Sequence, residues 1–424
     1  MVSRHIIFEW REGEDAYADA LAYLDAPPLS ALGALSLPDE EAKAIFYLGR
    51  FLVPILALLL TAAHAVPPGY VEELAAQKGV HTSIVLENRA RKANDEQLFA
   101  SLLEERSDTN LTRELMQLWQ NSSADERAHV HMEIVDVKMN GGLALAKLLI
   151  TQASDYGAPL LYHQYRFYRQ VDGQWLRTFP HKSYWGESQL LHTAHLRFEF
   201  RSRDAEVVLQ AAPRLDDIYV SLYAAMGMKP PAQNEKLTIR VMERDRPGWT
   251  VNEDRLNVPS YMVTVADPKM DDVAAFSQAI ISNLTFQVLR ESQTARGGNR
   301  FVLWSALFPG LHNWLTKEQS SHPLLWESLM ASALQRQLAE QPTLSLNGVS
   351  YSSGSGRNPW QWRTLALESI VDYVVTQYGR DRLPEFVEAL SVHNSWSTLI
   401  PALYNVSVAE FEAGWNRHLT QKYR

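Results

Sequence analysis

Cysteine is missing from all 424 positions of the chain, which excludes disulfides, thiolate metal sites and cysteine nucleophiles. The absence leaves the compartment open, because exported chains also manage without the residue. Runs of lysine or arginine are missing too, and the formal net charge is −9; together these argue against nucleic acid as a partner. No Gly-rich phosphate loop and no G-x-S-x-G elbow occurs, which removes the commonest nucleotide-binding and serine-hydrolase signatures. No internal repeat is visible. What remains is an ordinary globular balance, 46% apolar and 21% charged, so widespread disorder is not expected. The length allows two or three domains with cores of their own. Twelve tryptophans and seventeen tyrosines suit aromatic-rich cores, or a groove for sugar or peptide.

Residues 1–43 carry nine Asp/Glu against three Lys/Arg and are broken by Pro27, Pro28 and Pro38; they read as a solvated, acidic cytoplasmic tail. Ile45 to Val66 follows with Arg50 as its one Lys, Arg, Asp or Glu. At ~1.5 Å per residue this run reaches across roughly 30 Å of hydrocarbon, which predicts a single transmembrane helix over 44–66. Lys43 and Arg50 precede or enter the span and only Lys78 follows closely, so the N-terminus is expected inside. The bulk of the chain is then extracytoplasmic, anchored at the cell membrane. Two competing readings are a buried soluble helix and a signal peptide cleaved near Ala63-His64-Ala65, although the long acidic stretch ahead is unlike a signal-peptide n-region.

From Tyr70 to Asn121 the pattern is helical, interrupted near Gly79, with a fresh helix start at Asn94-Asp95-Glu96. The period then changes to two over 129–137, 144–153, 160–171 and 175–179, with turn signals at Asn140-Gly141-Gly142 and Asp172-Gly173. Helices followed by a curled antiparallel sheet make an α+β domain. The phrase from Tyr165 to Arg177, YRFYRQVDGQWLR, resembles the last hairpin of SnoaL-like or nuclear-transport-factor-like cone domains. That resemblance covers residues 70–182 and implies a cone of the kind that sometimes encloses a ligand or catalytic pocket. His129 and His131 share one strand face, but no acid converges on them and they are assigned no role. Residues 180–188 read as a linker.

Beyond it the periodicity predicts strands at 196–201, 236–241 and 260–265, with a helix over 203–226 capped by Gly227. Helices over 271–292 and 301–314 follow, the second broken or kinked at Pro309, then a polar loop at 347–358 and helices over 360–378, 381–390 and 408–423. The predicted fold class is therefore α+β: a transmembrane helix, a cone, and a mainly helical domain over 189–424 with a small N-terminal sheet.

The stretch Ile281 to Trp314 has the rhythm of a zinc-peptidase core. Such a core needs H-E-x-x-H, because histidines at i and i+4 share one helix face and converge on one Zn²⁺ while the Glu activates its water. Here the matching phrases are Ser282-Asn283-Leu284-Thr285-Phe286 and Pro309-Gly310-Leu311-His312-Asn313-Trp314. With the phrases Ala212 to Tyr219, Ser369 to Tyr373 and Ala409 to Trp415, they resemble the peptidase MA-like, or gluzincin-like, domains of bacterial membrane-anchored proteins. The resemblance implies that Ser282 and Phe286 stand at the two histidine ligands, Asn283 at the general base and Pro309 at the glutamate ligand. None of the four can do that chemistry: Phe has no lone pair, Pro no side-chain oxygen, and Asn takes no proton at neutral pH. No catalytic residue, metal or cofactor is therefore expected. Phe286 is expected to fill the vacated space with its ring.

His312, His322, Glu291, Glu318 and Glu327 remain as alternative ligands, but no histidine pair at i and i+4 occurs in this region. The resulting expectation is a membrane-anchored pseudopeptidase that binds a peptide, an envelope component or a partner protein in a groove near Trp304, His312 and Trp314. Two alternatives stay open: an active hydrolase with non-standard metal ligands, and a membrane sensor whose tail reports the state of the rest.

Overall fold

The computed structural model of the chain describes residues 70–105, 110–140, 142–153, 159–243, 255–296, 304–351 and 359–423. The acidic tail 1–43 and the predicted span 44–66 lie outside these residues. Among the described residues no helix is long and apolar enough to cross a membrane. The expected transmembrane architecture and membrane localisation are corrected accordingly: the fold is α+β, thirteen helices and two sheets, without a membrane-spanning element in its described part.

The N-terminal module begins with α1 (Tyr70–Ala93), α2 (Glu96–Ser101), α3 (Leu111–Asn121) and α4 (Ala124–Ala128). Asn94 turns left-handed to end α1 and Asp95 caps α2 by accepting from the Leu98 amide. Ser123 and Glu126 form a capping box on α4. Strands β1 (Val130–Asn140), β2 (Leu143–Gln152), β3 (Leu160–Val171) and β4 (Gln174–Thr178) then pair antiparallel in sequence order. The β3–β4 turn holds Asp172 at φ 49° and Gly173 at φ 80°, the primed geometry that a two-residue hairpin loop demands. A bulge at Val135 bends β1.

Helix α1 lies across this sheet and buries Ala76, Val80 and Ile84 against Met132, Ala146, Leu148 and Tyr168. Gly79 does not interrupt it, contrary to expectation. The indole of Trp175 rests on Gly79 where a Cβ would stand, so the glycine serves close packing rather than a break. Asn88 fixes the same helix to the sheet, its amide donating to the Met132 carbonyl while its oxygen accepts from the Met132 N–H.

Residues 180–188, expected as a linker, hold a 3-10 turn (Lys182–Trp185) whose Trp185 is wholly buried. Trp185 packs with Leu143, Phe167 and Met262. The chain continues through β5 (Ser188–His192), β6 (Leu196–Arg201), α5 (Ala205–Ala225), β7 (Leu237–Met242) and β8 (Arg255–Pro259), with sheet order β5-β6-β7-β8. Only the β5–β6 pair is antiparallel; β6, β7 and β8 run parallel, β6 and β7 joined across α5. The strand expected at 260–265 is instead a 3-10 turn (Tyr261–Val263) followed by a two-residue strand, β9 (Val265–Ala266). β9 pairs with β3 at His163 and Gln164, beyond the end of β4, and so completes the first sheet from the later part of the chain.

The helical lobe follows: α6 (Asp272–Ala295), α7 (Leu307–Gln319), α8 (Glu327–Glu340), α9 (Leu346–Tyr351), α10 (Pro359–Tyr378), α11 (Leu383–Val392), α12 (Trp396–Tyr404) and α13 (Val408–Tyr423). One apolar core joins these helices to α5 and the second sheet. Pro309 does not kink α7. It is the third residue of that helix, in the first turn, where a missing N–H leaves no intrahelical bond unmade. The next residue, Gly310, lets α7 approach α10 until a Cβ would stand 2.6 Å from the Leu367 carbonyl carbon. The loop expected at 347–358 begins as helix α9, and residues 352–358 lie outside the described residues.

Candidate functional site

The α6–α7 pair does bring one of the predicted ligand positions onto the later phrase. His312 Nε2 donates to the Ser282 carbonyl at 2.9 Å and lies 3.2 Å from the Ser282 hydroxyl. Burial lowers the His312 pKa, so the ring is a neutral strut with its Nε2 proton committed to α6. Asn283 turns back on its own helix and donates to the Ala279 carbonyl at 2.7 Å. Phe286 is 38% exposed, which corrects the expectation that its ring fills a vacated metal corner. Pro309 is exposed as well. The four positions are not gathered in one buried hollow: Ser282 faces His312, while Phe286 and Pro309 reach solvent.

The expected groove residues are corrected too. Trp304 is core, 1% exposed, edge-on to Trp396 and donating to the His393 carbonyl at 2.9 Å. Trp314 donates to Asp372 at 3.2 Å, and Asp372 also accepts from His418 at 2.8 Å and Lys422 at 2.7 Å. Burial alone would raise the Asp372 carboxyl, but these donors outweigh it and hold it well below the usual range. One helix turn along α7, Lys317 bridges Glu327 and Glu368 at 2.5 and 2.6 Å. This network ties α7, α8, α10 and α13 together. Of the alternative ligands, Glu291 is engaged by the Tyr223 hydroxyl and Gln287, and Glu318 by Arg380. Among the described residues no three His, Asp or Glu side chains gather as a metal site requires. His129 and His131 are exposed side chains on the module surface.

The feature that sequence reasoning missed lies between α1–α4 and the first sheet. A cavity of about 680 Å³ opens there, its wall mixing apolar side chains such as Leu111, Leu115, Trp119 and Phe179 with polar ones such as Asn121 and Gln152. Its floor is charged. Glu87, with a side chain 3% exposed, accepts from Arg91 at 2.8 and 3.1 Å and from Arg166 at 2.9 Å, and a third guanidinium, Arg177, stands 3.7 Å away. Three arginines therefore share one carboxylate. Burial would raise Glu87, but Arg166, Arg177 and Arg91 outweigh it and pull it down to about 2. Arg177 goes the other way: burial first, then the neighbouring Arg166, lowers it to about 10, which still leaves it protonated at neutral pH.

The three guanidiniums are not equally occupied. Arg91 spends its Nε and one terminal nitrogen on Glu87 and lies over the Phe99 ring, itself stacked on Trp119 at 4.4 Å. Arg166 donates to Gln164 and Glu87. Arg177, among the described residues, makes no side-chain hydrogen bond and approaches Glu87 at 3.7 Å. A fourth arginine on the wall, Arg127, is used up by Asn94, Ser122 and the Trp119 carbonyl. The backbone explains how Arg177 is held: its N–H donates to the Leu102 carbonyl at 2.8 Å and its carbonyl accepts from Glu104 at 2.9 Å.

Comparison with protein-family models, with curated proteins and with solved structures finds no match to this chain.

Proposed function

We propose that this chain is a non-catalytic binding protein that holds a small, partly apolar ligand in the cavity of its N-terminal α+β module. The helical lobe, with its peptidase MA-like phrases, is a scaffold in this reading and performs no hydrolysis. The observation that carries it is the cavity itself, about 680 Å³, with an apolar patch of Leu111, Leu115, Trp119 and Phe179 in a mixed wall and convergent polar groups on its floor. Concave, mostly apolar spaces of a few hundred Å³ with a few placed polar groups are what small-molecule sites have in common. Two findings in the lobe support the scaffold role. Ser282 and Asn283, at two of the peptidase-like positions, are committed to helix contacts, and the aromatic residues nearby pack in the core or anchor a salt-bridge network.

The test uses the neutral fluorophore N-phenyl-1-naphthylamine with the full-length chain. Its emission is expected to rise and shift to the blue on binding, and Leu115→Trp, which puts an indole into the cavity, is expected to abolish the change. An identical response from the two proteins would overturn the reading, as would peptide hydrolysis by the purified chain that a chelator removes.

A further inference from the structure

We infer that the ligand of this cavity is an anion, a carboxylate on an apolar body, whose head seats on Arg177 and Arg166. The inference rests on the binding role proposed above and adds the chemistry of the ligand to it.

Charge is the first argument. Four arginines, Arg91, Arg127, Arg166 and Arg177, line the cavity, and three of them, Arg91, Arg166 and Arg177, converge on one carboxylate, Glu87. Three cations on one anion leave the floor with an excess of positive charge. A buried charge is costly unless paired, so the floor selects a negatively charged ligand.

Placement is the second argument. The surplus is not spread over the wall. Arg127 is filled by neutral acceptors, and Arg91 is held on Glu87 under Phe99. The remaining cations, Arg166 and Arg177, have side chains only 6% and 12% exposed. They stand diagonally across the β3–β4 pair, since Tyr168 is the register partner of Arg177. Arg177 makes no hydrogen bond through its side chain among the described residues, so its planar donor fork is open to the carboxylate geometry it matches. Above this floor Leu115, Trp119 and Phe179 give part of the wall an apolar surface, beside polar side chains such as Asn121 and Gln152. A hydrated inorganic anion would leave that surface wet; an acid with an aromatic or aliphatic body covers it.

The experiment compares 4-phenylbutanoate with 4-phenylbutanol by titration calorimetry on the full-length chain at neutral pH. The two probes share a body and differ in the charged head. The acid is expected to bind at least tenfold more tightly, with an advantage that shrinks as salt is raised. Arg177→Met is expected to erase the advantage, and Arg177→Lys to restore part of it. Arg177→Met leaves Glu87 with Arg91 and Arg166, and an unchanged melting temperature confirms that the fold is intact; should it melt early, the Lys variant and the salt dependence decide. Equal affinity for acid and alcohol overturns the anionic ligand and leaves the binding role standing. No binding of either probe, with no response of N-phenyl-1-naphthylamine, overturns both.

Discussion

Replacing Glu87 by glutamine keeps the shape of the floor and removes the one anion that three buried arginines share. Two routes give the magnitude. The Glu87 carboxyl falls from an ordinary 4.5 to about 2 in the folded chain, and at 1.36 kcal/mol per unit this is worth roughly 3 kcal/mol. Breaking a buried ion pair by removing one partner independently costs about 3–5 kcal/mol. Because the folded pKa is depressed, the contribution is complete above about pH 4.5 and is lost as pH falls toward about 2. Urea unfolding of both proteins at neutral pH, and at steps down this window, separates Glu87 from every other carboxylate by difference. Glu87→Gln is expected to be less stable by roughly 3 kcal/mol at neutral pH, and the gap is expected to close as the wild-type carboxyl titrates. A gap under about 1 kcal/mol at neutral pH, or one that stays constant down to pH 2, would refute the idea that Glu87 is the counter-ion of the cluster. The variant also has one more unpaired cation, so 4-phenylbutanoate is expected to raise its melting temperature more than it raises that of the wild type.

Asp204 offers the opposite sign. Burial raises its carboxyl to about 6 against Ser260, which donates to it, so its stabilising share is present below about pH 4 and lost as pH rises through 6. Asp204→Asn is therefore expected to gain stability at pH 7.5 relative to pH 4.5, by about 3 kcal/mol at most, as read from paired urea midpoints. Gly310→Ala forces a Cβ against the Leu367 backbone at 2.6 Å and is expected to cost about 1–3 kcal/mol or more. Pro309→Ala, on the exposed side of the same turn, is expected to stay within about 0.5 kcal/mol. Ser282→Ala keeps the 2.9 Å bond from His312 to the backbone carbonyl, so a loss below about 1 kcal/mol is expected; a larger loss would give the hydroxyl a role that the geometry does not.

The elements were legible where a single periodicity ruled. Strands β1 to β4 of the first sheet and helices such as α5 and α13 follow directly from their spacing, and Gly227 ends α5 at φ 65° as a C-cap does. Gly79 and residues 180–188 misled for one reason: glycine and a proline-bounded polar stretch speak about the backbone, whereas Trp175 and Trp185 bury themselves there through contacts distant in sequence. The strand expected at 260–265 broke up because Ser260 bonds Asp204 and caps a turn. The peptidase-like phrase marked two helices that do meet at Ser282 and His312, but the letters carry no information on which side chains would face solvent. The arginine floor was out of reach because Glu87 and Arg166 are 79 residues apart. Its traces were an i, i+4 Glu87–Arg91 pair and a strand with Gln164 and Arg166 at alternate positions, neither of which identifies a site before the fold joins them.

The cavity is not a property of the N-terminal module alone. Val263, in the 3-10 turn that follows β8, contributes to its lining. Two residues later β9 takes the stretch of the β3 edge that β4 leaves uncovered. Tyr165 donates to both carboxylate oxygens of Asp272, the first residue of α6, at 2.9 and 3.0 Å, and Met262 closes over Phe167 and Trp185 from the same side. Unpaired strand edges and uncovered aromatics are costly in water, so the helical lobe stabilises the sheet whose other face carries the arginines. Ser260, whose hydroxyl holds buried Asp204, is three residues from Val263. Asp204, through Ser260, therefore holds in place a turn whose Tyr261 packs on the lobe core and whose Val263 lines the cavity.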